Sequence, residues 1–447
     1  IQLHARMGPF TRMKSGFLPA IIVTFVLLQL LFLLNMCYLH ATQYRSLTRS
    51  HNFKVLYVDY DGGVIGKSVS DAYQDLRGDS FPTLHEVTPS KYPQPSDIRD
   101  AVCRGEYWGA IYAKSDGSVN LTSALESGAS TPTSLAYVWN GARYPVFSQS
   151  VVYSNLLKLI QTTRSTYYDN NGSSVATTAN FSIPATLKAF TDPIQAEQLN
   201  IKETEEGTRV FYNTISMAMP IVQQFFYMLA LNGIGSVFDA FTKLSWKTNA
   251  LLRLTVSILY TFVGALCMTG YIWAYRETWH QTGSHFALTW MILWLLMHIN
   301  ILFFDITTAF VEIQWMPYIV LTWVILNVAS TITPFEMSPA FFRWGYALPS
   351  HEAYQVLMQI WSGGCHNRLY QALPIMFSWW IIGVPTSVFA MYYRCRKAVA
   401  EVELSDCEIQ EKNVATENQT VTEIHGSDGE WRGNEDEVQA LPVQRFD

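Results

Sequence analysis

Polar and apolar positions are segregated along this chain in long blocks. Residues 17–40 form one apolar run (FLPAIIVTFVLLQLLFLLNMCYLH) with no Asp, Glu, Lys or Arg in it. A helix crossing the ~30 Å hydrocarbon core needs roughly 20 such residues, so the run predicts a transmembrane helix. It exceeds the ~7–15 residue apolar stretch of a cleavable signal peptide and lacks a small-residue cleavage site, which predicts a retained anchor. Mostly polar sequence follows over residues 41–210, then apolar stretches at 214–238, 251–273, 286–304, 317–333 and 372–393. The predicted fold class is therefore an integral membrane α-helical bundle of about six transmembrane helices with an inserted α/β domain. Pro220, Gln223, Gln224 and Asn232 interrupt the second stretch, and only a short turn at 305–316 separates the fourth from the fifth, so five or seven spans stay open.

The insert reads as strands alternating with helices. Residues 53–59 form a β-rich run and residues 68–76 are helix-like. Ser96 is placed as an N-cap for a helix over 97–103, followed by a strand over 107–113. Residues 134–139 suit a third strand, residues 146–163 carry apolar residues at helical spacing, and the Ser/Thr/Asn-rich 170–180 stretch is expected to be an exposed loop.

Composition supports this division. Of the 447 residues 49% are hydrophobic and only 15% charged, against about 25% charged in soluble domains. That excludes a disordered chain and argues against a cytosolic enzyme. The net charge of −6 is concentrated at the end: after Ala400, thirteen acidic residues face three basic ones. Residues 398–447 are expected to be an acidic, disordered cytoplasmic tail. The chain opens on Ile1 rather than Met, so a native start and a targeting element upstream are left open.

Basic residues set the expected orientation. Arg6, Arg12 and Lys14 precede the first span, Lys243, Lys247 and Arg253 lie between the second and third, and Arg394, Arg396 and Lys397 follow the sixth. With six spans all three clusters share one side. Both termini, including residues 1–16, are then cytoplasmic, and the 41–210 insert is extracytoplasmic. Three N-x-S/T sequons in the insert, at Asn120, Asn171 and Asn180, fit glycosylation there, whereas Asn418 in the tail should stay unmodified.

Few motifs carry chemistry. Asp61-Gly-Gly-Val-Ile-Gly-Lys-Ser68 resembles a nucleotide loop, but Asp61 stands where the P-loop requires its first glycine and would repel phosphates. No ATPase, metal-ligand set, cofactor or nucleic-acid patch is expected. His298, Asp305 and Glu312 recur every seven residues and would share one helix face. Ionisable groups at membrane depth usually face a bundle interior or a cavity. They are read either as a polar lining or as one interhelical histidine contact with two acids at the wet interface. Gln223, Gln224 and Asn232 add polar positions to an interrupted span, which suits a transport route or a helix buried among others. Residues 334–364, aromatic and punctuated by prolines, form either an outer-leaflet cap lying at the interface or a packed cap under the insert. Cys103 and Cys365 are the only cysteines expected outside, and compartment allows a disulfide between them. His51, His85 and His351 are read as inert surface residues.

Three segments resemble the fungal nitrosoguanidine-resistance protein family: Val58-Asp-Tyr-Asp-Gly-Gly-Val-Ile-Gly66, Tyr107-Trp-Gly-Ala-Ile-Tyr112 and, most specifically, Ser338-Pro-Ala-Phe-Phe-Arg-Trp-Gly-Tyr-Ala-Leu-Pro349. The membrane part of that family is similar to the type-2 membrane domain of ABC exporters. The resemblance spans about residues 17–397. It implies a plasma-membrane or endomembrane protein tied to drug resistance and lipid organisation, and by analogy a homodimer. The expectation is transport, export or lipid distribution acting on a lipophilic or amphiphilic small molecule, with membrane lipids as partners. The alternative is an integral-membrane enzyme, a cyclase or isomerase of a lipophilic metabolite, in which His298 and the acids would be acid/base groups. A third reading is a scaffold whose acidic tail recruits partners.

Overall fold

The computed structural model describes residues 9–427 apart from 131, 132, 205 and 278, and side chains over 19–411 with the same gaps and residue 206. The N-terminal residues 1–8 and the tail residues 428–447 lie outside the described residues.

Six helices among these are long and apolar enough to cross a membrane. They are α1 (Pro9–Thr42), α7 (Ile215–Val237), α8 (Trp246–Ala274), α9 (Gly283–Phe310), α10 (Met316–Ile332) and α12 (Leu369–Ser427). The protein is a membrane-embedded helical bundle. Helix α9 is its centre, packed on α7, α8, α12 and the shorter α11 (Pro349–Trp361). Helix α1 packs on α10 and leaves most of its apolar surface uncovered. That surface suits hydrocarbon, where an internally hydrogen-bonded helix has no polar backbone to satisfy.

Between α1 and α7 the chain builds a five-stranded sheet in the order β2-β1-β3-β4-β5. The strands are β1 (Lys54–Asp59), β2 (Thr83–Val87), β3 (Gly109–Ala113), β4 (Leu135–Trp139) and β5 (Ala196–Asn200). Every pairing is parallel except β3 with β4. Side chains alternate between faces. Val55, Tyr57, Ile111 and Tyr137 join a core with α2 (Val64–Leu76) and α5 (Ser154–Thr178). Leu56, Val58, Ala110 and Val138 pack on Ile98 and Val102 of α3 (Pro95–Cys103). Helices α4 (Gly117–Ser127) and α6 (Pro184–Thr191) complete the layers.

Several expectations need correction. Residues 170–178 are helical, because α5 runs to Thr178, and the stretch keeps the exposure expected of it. Helix α3 is capped by Gln94, not Ser96: the Gln94 side chain accepts from the backbone of Asp97, whose carboxylate accepts from the Gln94 N–H at 2.9 Å. Residues 398–427, expected to be disordered, continue α12, since Ala, Glu, Val and Lys extend a preformed helix without needing a core. Pro220 lies inside α7 without ending it.

Candidate functional site

Among the described residues three polar features and one large cavity stand out, the first within the sheet domain and the others within the bundle or at its junction with that domain. The first feature is Asp61. Its carboxylate accepts the Ser118 N–H at 2.8 Å and the Ser118 hydroxyl, at the first turn of α4. An acid thus occupies the N-terminus of α4 beside the Gly-rich loop, where its charge suits the unpaired amides of the first turn.

The second lies at the end of the bundle remote from the sheet domain. Helix α9 continues to Phe310, so Asp305 is not in a wet turn but buried in a helix, with 4% of its surface exposed. Its Oδ1 sits 2.7 Å from Nε of Arg253 on α8 and 3.2 Å from Nη1 of Arg394 on α12, and Ser387 donates to Oδ2 at 2.5 Å. Arg253 also donates to Asn232 of α7 at 2.5 Å. Helices α8, α9 and α12 meet at this carboxylate, and α7 joins them through Arg253. Arg253 and Arg394, counted from sequence as topogenic flank charges, are therefore interior groups. Glu312 does not share this face: it lies past the end of α9 and accepts from Gln314 at 2.6 Å.

The third is a chamber of about 30 Å³ beneath the sheet domain, room for about two waters. Arg143, Tyr144, His351, Glu352, Gln355 and His366 border it. Arg143 lies 3.7 Å above the Trp108 ring and donates to the Tyr107 carbonyl at 3.2 Å; burial lowers its pKa to about 10. Gln355 donates to the Tyr144 hydroxyl at 3.1 Å and its Oε1 lies 2.5 Å from His366 Nε2. Desolvation holds His351 down to about 4 and raises Glu352 to about 7. His351, read from sequence as a surface residue, is 2% exposed. Tyr144 (φ 47°) and His366 (φ 65°) both adopt left-handed backbone here, a conformation that surrounding structure must hold in place. A disulfide between Cys103 and Cys365 and a bond of 2.6 Å from His366 N–H to the Cys103 carbonyl tie the sheet domain to this corner. Helix α11 is buried along almost its whole length, so that part of the 334–364 segment is a packed cap. The turn before it keeps Phe341 and Trp344 exposed.

The cavity measures about 780 Å³ and lies between α9, α11 and α12, touching α8 at Ile258. Its walls are almost wholly apolar. Leu288, Met291 and Phe377 at its rim are 37–52% exposed, so it opens sideways through the belt that faces hydrocarbon. Such a volume is in the range of small-molecule sites. His298 reaches its wall. Trp380 donates to His298 Nδ1 at 2.7 Å, which leaves the proton on Nε2, 3.4 Å from the Ser257 hydroxyl.

Of the six residues singled out as a substrate pathway, Asn232 and Asp305 meet through Arg253 and His298 borders the cavity. Gln224 is fully buried with no partner for its amide, and Gln223 lies against Gly264 of α8. Glu312 is apart. The sequence reading missed Arg253, Arg394, Arg143, Glu352 and His366. A buried arginine inside an apolar window was the one signal available for the first of these.

No solved structure matches the chain. The model of DUF3533, a family described as a protein of unknown function, matches residues 24–384. These residues take in about half of α1, the sheet domain and the bundle as far as the first third of α12, and the chain belongs to the DUF3533 family.

Proposed function

We propose that this protein transports or exports a lipophilic or amphiphilic small molecule, or redistributes it within the membrane, in the manner of a drug-resistance protein and without an ATPase of its own. The observation that carries this reading is the 780 Å³ cavity with its sideways opening between Leu288, Met291 and Phe377. A solute dissolved in the bilayer reaches such a site without crossing water. In this reading the sheet domain lies outside the cytoplasm of a plasma membrane or endomembrane, both termini are cytoplasmic, and the chamber beneath the sheet domain closes the outer end. The resemblance to the nitrosoguanidine-resistance family supports the same reading.

The enzyme reading is weaker because His298 has both nitrogens engaged, by Trp380 and Ser257. It has no free lone pair with which to take a proton from a ligand. The experiment is transport of lipophilic dyes by the full chain in liposomes. Leu288→Trp, which narrows the opening from an exposed position, should slow transport several-fold and leave the melting temperature unchanged. Equal rates for wild type, variant and protein-free liposomes would reject the reading. A dye recovered chemically altered would favour the enzyme.

A further inference from the structure

The cavity's lining chemistry restricts what can occupy it. None of its lining residues is Asp, Glu, Lys or Arg. A charged ligand would therefore lose its hydration without gaining a counter-ion, which disfavours its entry. The lining runs along α9 from Ser284 to His298, which at 1.5 Å per residue is roughly 20 Å. Between those ends the α9 wall is Leu288, Met291, Ile292, Trp294 and Leu295. The occupant is therefore long and apolar.

Polar groups gather at one end. The first turn of α9 brings Ser284 and His285, and the last turn of α11 brings Gln359. These two turns are held together: Gln281 donates to the Trp361 carbonyl at 3.1 Å, and Trp361 Nε1 donates to the Thr289 hydroxyl at 3.1 Å. His285 Nδ1 accepts from the Thr282 N–H at 3.3 Å, which places the ring proton on Nε2 as a donor. Gln359 Oε1 is a buried acceptor with no partner in the protein. Turning the Gln359 amide about its soft terminal torsion brings this acceptor to the cavity beside the His285 donor, and one donor with one acceptor at the same end match a hydroxyl, which both donates and accepts. The opposite end offers no such pair, since His298 is satisfied by Trp380 and Ser257.

We infer that the cavity binds an uncharged, elongated lipophile of about sterol length carrying a single hydroxyl, seated with that hydroxyl between Gln359 and His285 and its apolar body along α9. This rests on the transport reading for its purpose but not for its test. The rim residues set access and Gln359 sets the preference for the free alcohol.

The experiment measures equilibrium binding of tritiated cholesterol to the purified full chain in detergent, with cholesteryl acetate, 5α-cholestane and rhodamine 6G as competitors. Saturable binding is expected. The acetate and the hydrocarbon should compete up to about tenfold more weakly than unlabelled cholesterol, the worth of one hydrogen bond, and the rhodamine cation should not compete. Gln359→Leu should erase the preference for the free hydroxyl, and Leu288→Trp should weaken all three neutral ligands together. Non-saturable binding, equal competition by the acetate, or displacement by rhodamine 6G each overturns the inference. Saturable, hydroxyl-selective binding by a protein that transports nothing in liposomes would reject the transport reading and leave this inference standing. Transport of charged dyes with no cholesterol binding would do the reverse.

Discussion

Asp305 and Arg253 lie 2.7 Å apart on neighbouring helices, and the same carboxylate oxygen is 3.2 Å from Arg394 on a third. One acid therefore faces two guanidinium groups and leaves the cluster a net positive charge, with little of any of the three side chains exposed. Removing one partner of such a buried cluster typically destabilises by about 3–5 kcal/mol, because the remaining charges stay buried without compensation. Asp305→Asn should therefore lower the melting temperature and the yield of folded protein in detergent. Glu312→Gln, seven residues on and outside the cluster, should change neither. A variant Asp305→Asn that melts like wild type and yet fails to transport would mean that Asp305 acts on the substrate.

The disulfide between Cys103 and Cys365 closes a sequence separation of 262 residues and joins the end of α3 to the segment between α11 and α12. Such a bond restricts the unfolded chain and is typically worth about 2–4 kcal/mol. Cys365→Ser should lower the melting temperature, and Cys103→Ser with Cys365→Ser should lower it by no more, since both changes remove one bond. Dithiothreitol should reproduce the shift in wild type and have no effect on the double variant. Identical melting with and without reductant would assign the joint's stability to packing such as the Tyr144–Tyr354 contact, whose ring centroids are 5.2 Å apart.

Asn180 is exposed just beyond α5, whereas Asn120 and Asn171 are half-buried within helices, Asn171 bonded through Nδ2 to the Tyr167 carbonyl at 3.2 Å. If the sheet domain faces away from the cytoplasm, protein from a glycosylating host should carry a glycan at Asn180, and Asn180→Gln should remove a glycosidase-sensitive mobility shift. Asn418 should remain bare. Modification of Asn418 with all three insert sequons bare would invert the orientation.

The membrane helices were legible because twenty consecutive apolar residues have few other uses. The sheet was legible where its strands are buried: KVLYVD, GAIYA and LAYVW are dense in apolar and branched residues. The edge strands TLHEV and AEQLN escaped because each pairs with one neighbour only and keeps several residues partly exposed. Arg253 and Arg394 were misjudged for a different reason. Sequence reads a lysine or arginine near an apolar boundary as a topology signal, and only three-dimensional packing shows that Asp305, 52 and 89 residues away along the chain, lies against both. The chamber was illegible for the same reason, since its members come from residues 108 to 371.

Glu352 gives that chamber a pH signature. Burial raises its pKa from 4.5 to about 7, opposed by Arg368, while burial lowers His351 from 6.5 to about 4. Arg143, Tyr144, Glu336, Tyr346 and His366 are the other charged or titratable groups lining the chamber. Between pH 4.5 and 7 the folded protein holds a proton on Glu352 that the unfolded chain has released, so this group makes stability fall as pH rises through that window. His351 acts oppositely: between pH 4 and 6.5 the unfolded chain binds the proton, so its contribution is lost on acidification. Glu352→Gln removes the first slope and leaves the second. Melting temperatures of wild type and Glu352→Gln should therefore lie closest near pH 4.5 and diverge toward pH 8, with the variant gaining relative to wild type as pH rises. A difference that stays constant from pH 4.5 to 8 would show that Glu352 ionises as an ordinary carboxylate, its charge balanced by Arg368.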